Sequence, residues 1–235
     1  WQHPTRGVVL PMEFIPTAEE TGLIVRLGDW VLEEACRQSA AWRARGFGKI
    51  KIAVNISARQ IQSGDLVGRI RELTRQYGIS PSVLEVELTE SAVMANLRES
   101  MRTFTSLRQI GVEVAMDDFG TGYSSLANLR TLPIDVLKID RSFVKNMEGD
   151  ESDAEIVRMI IALAQALKLS VVVAEGVETE GQASFLKACG CTTAQGYLYS
   201  KPLLPPEFEL WLRARGSGTP DRLPPVGIDR YSAAS

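Results

Sequence analysis

Six short apolar runs recur along this chain, and each ends in a residue that a buried core would reject. They close on Asn55 (KIAVN), Glu87 (LEVE), Asp117 and Asp118 (VEVAMDD), Lys138 (IDVLK), Glu175 (SVVVAE) and Gln195 (TTAQ). A helix-like segment follows each run. Strands alternating with helices imply a parallel sheet covered by helices. When successive parallel strands all carry reactive groups at their C-terminal ends, the expected fold class is α/β, a TIM-type β/α barrel with its active site on that face. The pattern locates the chemistry before any motif does.

At 235 residues the chain fits one large domain, and barrels of this kind reach that size undivided. With 45% apolar and 23% charged residues it can bury a substantial core. A net charge of −3 supplies no electrostatic basis for binding a nucleic-acid polymer. No apolar run reaches the ~18–20 residues that span a bilayer. The longest, Met159 to Leu167, is interrupted by Gln165 and reads as one buried helix. There is no signal-peptide pattern. The chain begins at Trp1 without an initiating Met and reads as a fragment.

Cys36, Cys189 and Cys191 form an odd set with no framework spacing, as expected of buried thiols in a reducing compartment such as the cytoplasm. His3 is the only histidine. Ser-His-Asp or Cys-His catalysis would have to rest on that one residue in a loop-like segment, and histidine-rich zinc or iron sites are excluded. Any metal must be held mainly by carboxylate and amide oxygens, which favours Mg²⁺ or Mn²⁺.

Periodicity predicts a short helix over 12–20 and a long amphipathic helix over 23–45, with Leu23, Leu27, Trp30, Val31, Ala35 and Trp42 on one side. No strand is expected in residues 1–49. Strands are predicted at 50–56, 83–88, 112–116, 135–139, 170–174 and 193–197. Helices are predicted from Asp65 to Tyr77 and over 97–110, 125–129, 153–167, 179–188 and 207–213. Beyond Gly216 the Gly/Pro/Ser-rich segment is expected to be a disordered tail. Six strands against the eight of a closed barrel leave two possibilities: an incomplete barrel, or two further strands before Trp1.

Asp117-Asp118 is the strongest local signal. Adjacent carboxylates in a regular strand point to opposite faces, but at a strand end both can converge. Their repulsion is offset most easily by divalent cations. The bland alternative is one loop cap and one solvated group. The following Phe119-Gly120-Thr121-Gly122-Tyr123 allows a tight backbone path beside them and is not a phosphate loop. Asn55 is a poor strand former at a strand end, either a simple turn residue or a ligand. Glu87 would be costly to bury there without a metal or partner, and Glu90 can anchor a loop. Lys138, flanked by apolar residues, is expected to point into the barrel as a counter-ion or as the group that orients water. Glu175 and Glu178 are further carboxylates at one strand end, or charges favourable to a helix N-terminus. Together they describe a metal-dependent hydrolase of the two-metal type acting on a phosphoester.

The chain resembles the EAL family of cyclic di-GMP phosphodiesterases. The resemblance runs from Trp1 to about Arg213. It rests on Trp1-Gln2-His3-Pro4, Pro16, Val54-Asn55-Ile56-Ser57, Glu87-Leu88-Thr89-Glu90, Asp117-Asp118-Phe119-Gly120-Thr121-Gly122, Lys138-Ile139-Asp140, Ala174-Glu175-Gly176-Val177-Glu178 and Gln195-Gly196-Tyr197. It implies a modified β/α barrel with one antiparallel strand, and hydrolysis of cyclic di-GMP to linear pGpG with two Mg²⁺ or Mn²⁺ ions. Asn55, Glu87 and Asp117 would bind one ion; Asp117 would bridge to a second, also held by Asp118 and Glu175. Lys138 would hold the attacking water, with Glu175 beside it in the catalytic set. Glu90 would fix the Asp-Phe-Gly loop, which also shapes the dimer contact of the family. Asp140, Glu178 and Gln195 would line the nucleotide and support the ligands.

The Glu-Ala-Leu tripeptide that names the family, on a strand before the Trp-x-His-Pro segment, is absent. Residues 1–215 are therefore expected to be the domain without its first two strands, and little activity is expected of it alone. A homodimer and upstream sensor or cyclase domains are the implied partners. The competing expectation is a non-catalytic cyclic di-GMP receptor; the retained ligand set favours the enzyme.

Overall fold

The structure, a computed structural model, describes residues 1–48, 50–63, 65–122 and 126–216. The chain enters through a short antiparallel hairpin, β1 (Gln2–His3) against β2 (Gly7–Val8). This corrects the expectation of no strand there: two-residue strands are too short to show alternation. His3 closes the turn, its Nδ1 accepting the backbone N–H groups of Thr5 and Arg6 at 3.2 Å each. Two helices follow, α1 (Pro11–Thr21) and α2 (Leu23–Ala44), separated by Gly22.

Six parallel strands then add in sequence order: β3 (Ile52–Asn55), β4 (Leu84–Thr89), β5 (Glu113–Phe119), β6 (Val136–Ile139), β7 (Val171–Ala174) and β8 (Thr193–Ala194). They form a curled half-barrel covered by helices, the modified TIM-type architecture expected from the alternating runs. Between them run α3 (Ala58–Ser63), α4 (Leu66–Tyr77), α5 (Glu90–Ala95), α6 (Leu97–Gln109), α7 (Leu126–Leu129), α8 (Arg141–Asn146), α9 (Glu151–Ala166) and α10 (Glu180–Ala188). Helix α11 (Pro205–Gly216) folds back on the end of α2, where Trp42 Nε1 donates to Glu209 Oε1 at 3.2 Å.

Side chains alternate across each strand, so register assigns every residue to a face. The helix-covered face carries Val54, Val86, Leu88, Val114, Met116, Leu137, Ile139, Val172 and Ala174, all in the main core. Burying a side chain of this size contributes roughly 1.5–3 kcal/mol. The concave face holds a separate apolar cluster of Ala115, Val136 and Val173. Two residues further along the strands, that same face bears the polar ends.

Several local expectations are corrected. Helix α2 buries Ile24, Gly28, Leu32, Ala35, Cys36, Ser39 and Trp42, whereas Leu23 and Trp30 are exposed. Apolar residues lie on two faces of this helix, and packing against the sheet and α4 decides between them. Met159 in α9 is likewise exposed. The last strand stops at Ala194, and Tyr197 stands in solvent. The short helices α3, α5 and α8 carry fewer than two turns and give no periodic signal. The expected helix start at Ser125, the loop end at Tyr123 and the tail from 217 onward lie outside the described residues.

Of the three thiols expected to be buried, only Cys36 is; Cys189 and Cys191 are half-buried. Burial pushes the Cys36 thiol up to about 11, against a smaller opposing pull from Arg69. The thiolate is the reactive form. Native protein at pH 8 is therefore expected to leave Cys36 unlabelled by iodoacetamide while Cys189 reacts, and Cys36 should label once urea unfolds the chain. Peptide mass mapping reads the order.

Candidate active site

The concave face gathers its polar ends through register. Asn55 pairs with Glu87 across β3 and β4. Glu87 pairs with Ala115, which places Asp117 on the same face two residues later. Lys138 and Val173 pair across β6 and β7, and Glu175 follows Val173 by two. Five of the six predicted run-ends therefore share one surface because parallel strands with a period of two put them there.

Lys138 stands at the centre. Its Nζ lies 2.8 Å from Glu87 Oε1, 3.1 Å from Asp117 Oδ1 and 2.6 Å from Glu175 Oε1, and the residue is 4% exposed. Burial alone would lower its pKa, but Glu87 and Glu175 outweigh that and hold the ammonium well above its ordinary range. One cation thus ties three strand ends together. Glu175 itself is pushed up, chiefly by burial, with Lys138 opposing.

A bulge solves the problem of two adjacent aspartates. Met116 pairs with Leu137 and Phe119 pairs with Ile139, so Asp117 and Asp118 together face Lys138. Asp118 takes a φ of 52°, a left-handed conformation that Asp tolerates better than most residues, and its N–H donates to Asp117 Oδ1 at 3.0 Å. The usual alternation is broken, and both carboxylates reach the cluster. One oxygen each from Asp117, Asp118 and Glu175 lies within 4.8 Å of the others. Burial, then the neighbouring Asp117, Asp140 and Glu175 carboxylates, push Asp118 up to about 6. Asp140 lies beside Asp118; burial works against its charge, but the hydroxyl and N–H of Ser142, the latter at 2.9 Å, hold it below the ordinary range.

Glu90 braces the loop beyond the bulge. It opens α5 and is 2% exposed, and its Oε2 accepts the Gly120 N–H at 3.0 Å. A Cβ at Gly122 would lie 2.8 Å from Glu90 Oε1; one at Gly120, where φ is 99°, would lie 2.9 Å from the Phe143 ring. Both glycines are needed for this close path.

Two expected residues stand apart from the cluster. Glu178 is exposed, and its backbone N–H donates to Gln182 Oε1 at 2.7 Å. Gln195 bonds through its backbone to Ala174 and Val177, and it borders a cavity of about 400 Å³ lined by Tyr197, Lys201, Phe208 and Trp211. Glu85 is the residue that sequence reasoning misses. It lies on the concave face one layer below Glu87, 8% exposed, its carboxyl pushed up by burial and then by Glu87. The spacing of two between Glu85 and Glu87 is the signal that could have found it.

The donors suit a divalent cation. Glu87, Asp117, Asp118 and Glu175 are four carboxylates against one ammonium, Lys138. Hard oxygen ligands of this kind match Mg²⁺-like ions, and a cation would relieve the repulsion that raises Asp118.

The acidic, lysine-centred cluster thus sits at the C-terminal strand ends of a curled β/α half-barrel, the end at which barrels of this type carry their functional groups. A family model described as "EAL domain" matches residues 1–202, and the chain belongs to that family. It is 45% identical over 214 residues to cyclic di-GMP phosphodiesterase NbdA of Pseudomonas aeruginosa, covering 91% of this chain and 27% of that protein. It is 41% identical over 213 residues to cyclic di-GMP phosphodiesterase PdeR of Escherichia coli, covering 91% and 32%. A solved structure, "PaMucR Phosphodiesterase, c-di-GMP complex", superposes with a TM-score of 0.85 at 45% identity, covering 88% of this chain and 84% of that one. The chain thus spans about a third or less of the length of these curated relatives.

Two outcomes follow for the metal-free protein. Asp118 binds a proton more readily folded than unfolded, so its ionisation costs stability above about pH 6, and that cost fades as the pH falls below it. Asp118→Asn, which keeps the left-handed backbone, should raise the thermal midpoint at pH 8, keep about half of that advantage near pH 5 and lose it only below about pH 4. Lys138→Met leaves buried carboxylates unpaired and should cost roughly 3–5 kcal/mol in urea unfolding, with part recovered by millimolar Mg²⁺.

Proposed function

We propose that this chain supplies the catalytic domain of a cyclic di-GMP phosphodiesterase, over residues 1–215, that hydrolyses one phosphodiester of the cyclic dinucleotide to give linear pGpG. The observation that carries this reading is the Lys138 ammonium held within hydrogen-bond reach of Glu87, Asp117 and Glu175. The names of NbdA and PdeR and the cyclic di-GMP complex of MucR support the choice of substrate.

In this reading Asn55, Glu87, Asp117, Asp118 and Glu175 would hold two Mg²⁺ or Mn²⁺ ions, with Asn55 and Glu87 on one side of Asp117, and Asp118 and Glu175 on the other. The ions supply an activated water and charge stabilisation at the leaving oxygen. Lys138 would hold the attacking water, with Glu175 on the neighbouring strand end beside it. Asp140, held by the Ser142 N–H, sits beside Asp118 and supports the ligand set. Glu90 keeps the bulge and its loop in register. Gln195 meets a base edge, while the aromatic cavity beside it, about 400 Å³, accepts a purine face. Glu178 lies at the outer rim, where it faces the rest of the nucleotide.

The same reading makes the chain one cytoplasmic module, working as a homodimer beside sensor or cyclase domains such as the bifunctional name of MucR describes. Among the described residues no helix is long and apolar enough to cross a membrane.

The test is release of pGpG from cyclic di-GMP by the full-length gene product with Mg²⁺ or Mn²⁺, followed by chromatography. Turnover should vanish with EDTA and return with metal. Asp117→Asn and Glu87→Gln should each lower kcat by at least about 100-fold, with a smaller change in substrate affinity. Tight binding of cyclic di-GMP without any pGpG would show a receptor instead and overturn the enzymatic reading.

A further inference from the structure

Gly28 lies inside α2, where glycine weakens a helix relative to alanine and so needs a reason. Its backbone is ordinary; the requirement is space. A Cβ there would fall 2.0 Å from Gln60 Nε2, 2.4 Å from its Cδ and 2.7 Å from its Oε1. Gln60 is 5% exposed. Its Oε1 accepts the Ser57 N–H at 3.0 Å and bonds the Ser57 hydroxyl at 3.1 Å, while Ser57 Oγ accepts the Gln60 N–H at 3.3 Å. The backbone donor at Ser57 fixes which end of the amide is oxygen, so the NH₂ end is the one pressed against Gly28. That nitrogen is buried without a hydrogen-bond partner among the described residues. Such a group is costly, and its retention calls for an explanation.

Ser57 follows Asn55 by two residues, and the intervening Ile56 donates its N–H to Glu87 O at 2.8 Å. β3 is an edge strand of the sheet, paired on one side by β4, and Asn55 is exposed at its tip. The backbone beyond Asn55 therefore has two supports: the ladder to β4, and the Ser57–Gln60 exchange. A reciprocal Ser–Gln pair by itself would only start α3. The Gly28 contact does more, because it couples the pair to a helix of 22 residues.

We propose that Gln60 is a positioning residue for Asn55, held by its close seat on Gly28, so that α2 sets where the Asn55 amide meets the acidic cluster. This rests on the reading of Asn55 as a metal ligand. Residues behind a ligand that fix its orientation typically change metal affinity by about 10–100-fold when lost.

The experiment compares Gly28→Ala, Gln60→Ala, the double variant and Asn55→Ala in the full-length protein. Mn²⁺ binding is measured by calorimetry, and thermal midpoints are measured without metal. Gly28→Ala is expected to weaken Mn²⁺ binding about 10-fold or more and to lower the midpoint. The double variant is expected to be no worse than Gln60→Ala in either measurement, because the new methyl fills space the amide has left; independent sites would add instead. Wild-type Mn²⁺ affinity in Gly28→Ala, or additive losses in the double variant, overturns the proposal while Asn55→Ala still reports a ligand. Wild-type affinity in Asn55→Ala overturns the ligand reading itself. If Gly28→Ala does not fold, recovery of folding in the double variant supports the Gly28–Gln60 contact, and failure of the double variant to fold where Gln60→Ala folds overturns it.

Discussion

One buried ammonium organises the concave face of this domain. Lys138 reaches carboxylates from β4, β5 and β7 at once, so three strand ends are held to a common point. The contact is possible only because β6 lies between β5 and β7 in an in-order parallel sheet. In a low-dielectric pocket an unpaired lysine or an unpaired carboxylate would each be expensive. Together they are tolerated, and they leave an excess of negative charge that a divalent cation can relieve. The same arrangement that suits the cluster to a divalent cation therefore works against stability in the metal-free protein.

The bulge in β5 is the second device. A regular strand would send Asp118 to the helix-covered face, among Met116, Leu137 and Ile139. The left-handed turn at Asp118 instead brings it beside Asp117 and Asp140. Glu90 and the two loop glycines hold that irregular path in place from α5. The loop after β5 is thus coupled to the end of β4, where Glu87 sits.

Much of the site can be read from residue order. The position of Asn55, Glu87, Asp117, Lys138 and Glu175 at the ends of apolar runs predicts that they gather at one end of a parallel sheet, and the strand register sets them on one surface. Glu90 is legible as a loop anchor because it follows a strand end directly. Other features are not. Periodicity misplaces the buried stripe of α2 because Leu23 and Trp30 are as apolar as Ile24 and Leu32, and only the neighbouring sheet distinguishes them. Gln60 carries no periodic signal, since its partners are one turn away and across the fold.

What the sequence by itself determined is therefore the six strands of the parallel sheet, their polar ends and the family to which the chain belongs. These are local properties: a strand's period is written in a few consecutive residues. The tertiary structure decided the rest. It alone placed Lys138 among three carboxylates, turned Asp118 inward and seated Gln60 on Gly28. Each of those depends on distances between segments far apart in the chain, which are set by how helices and strands pack and not by the residues beside them.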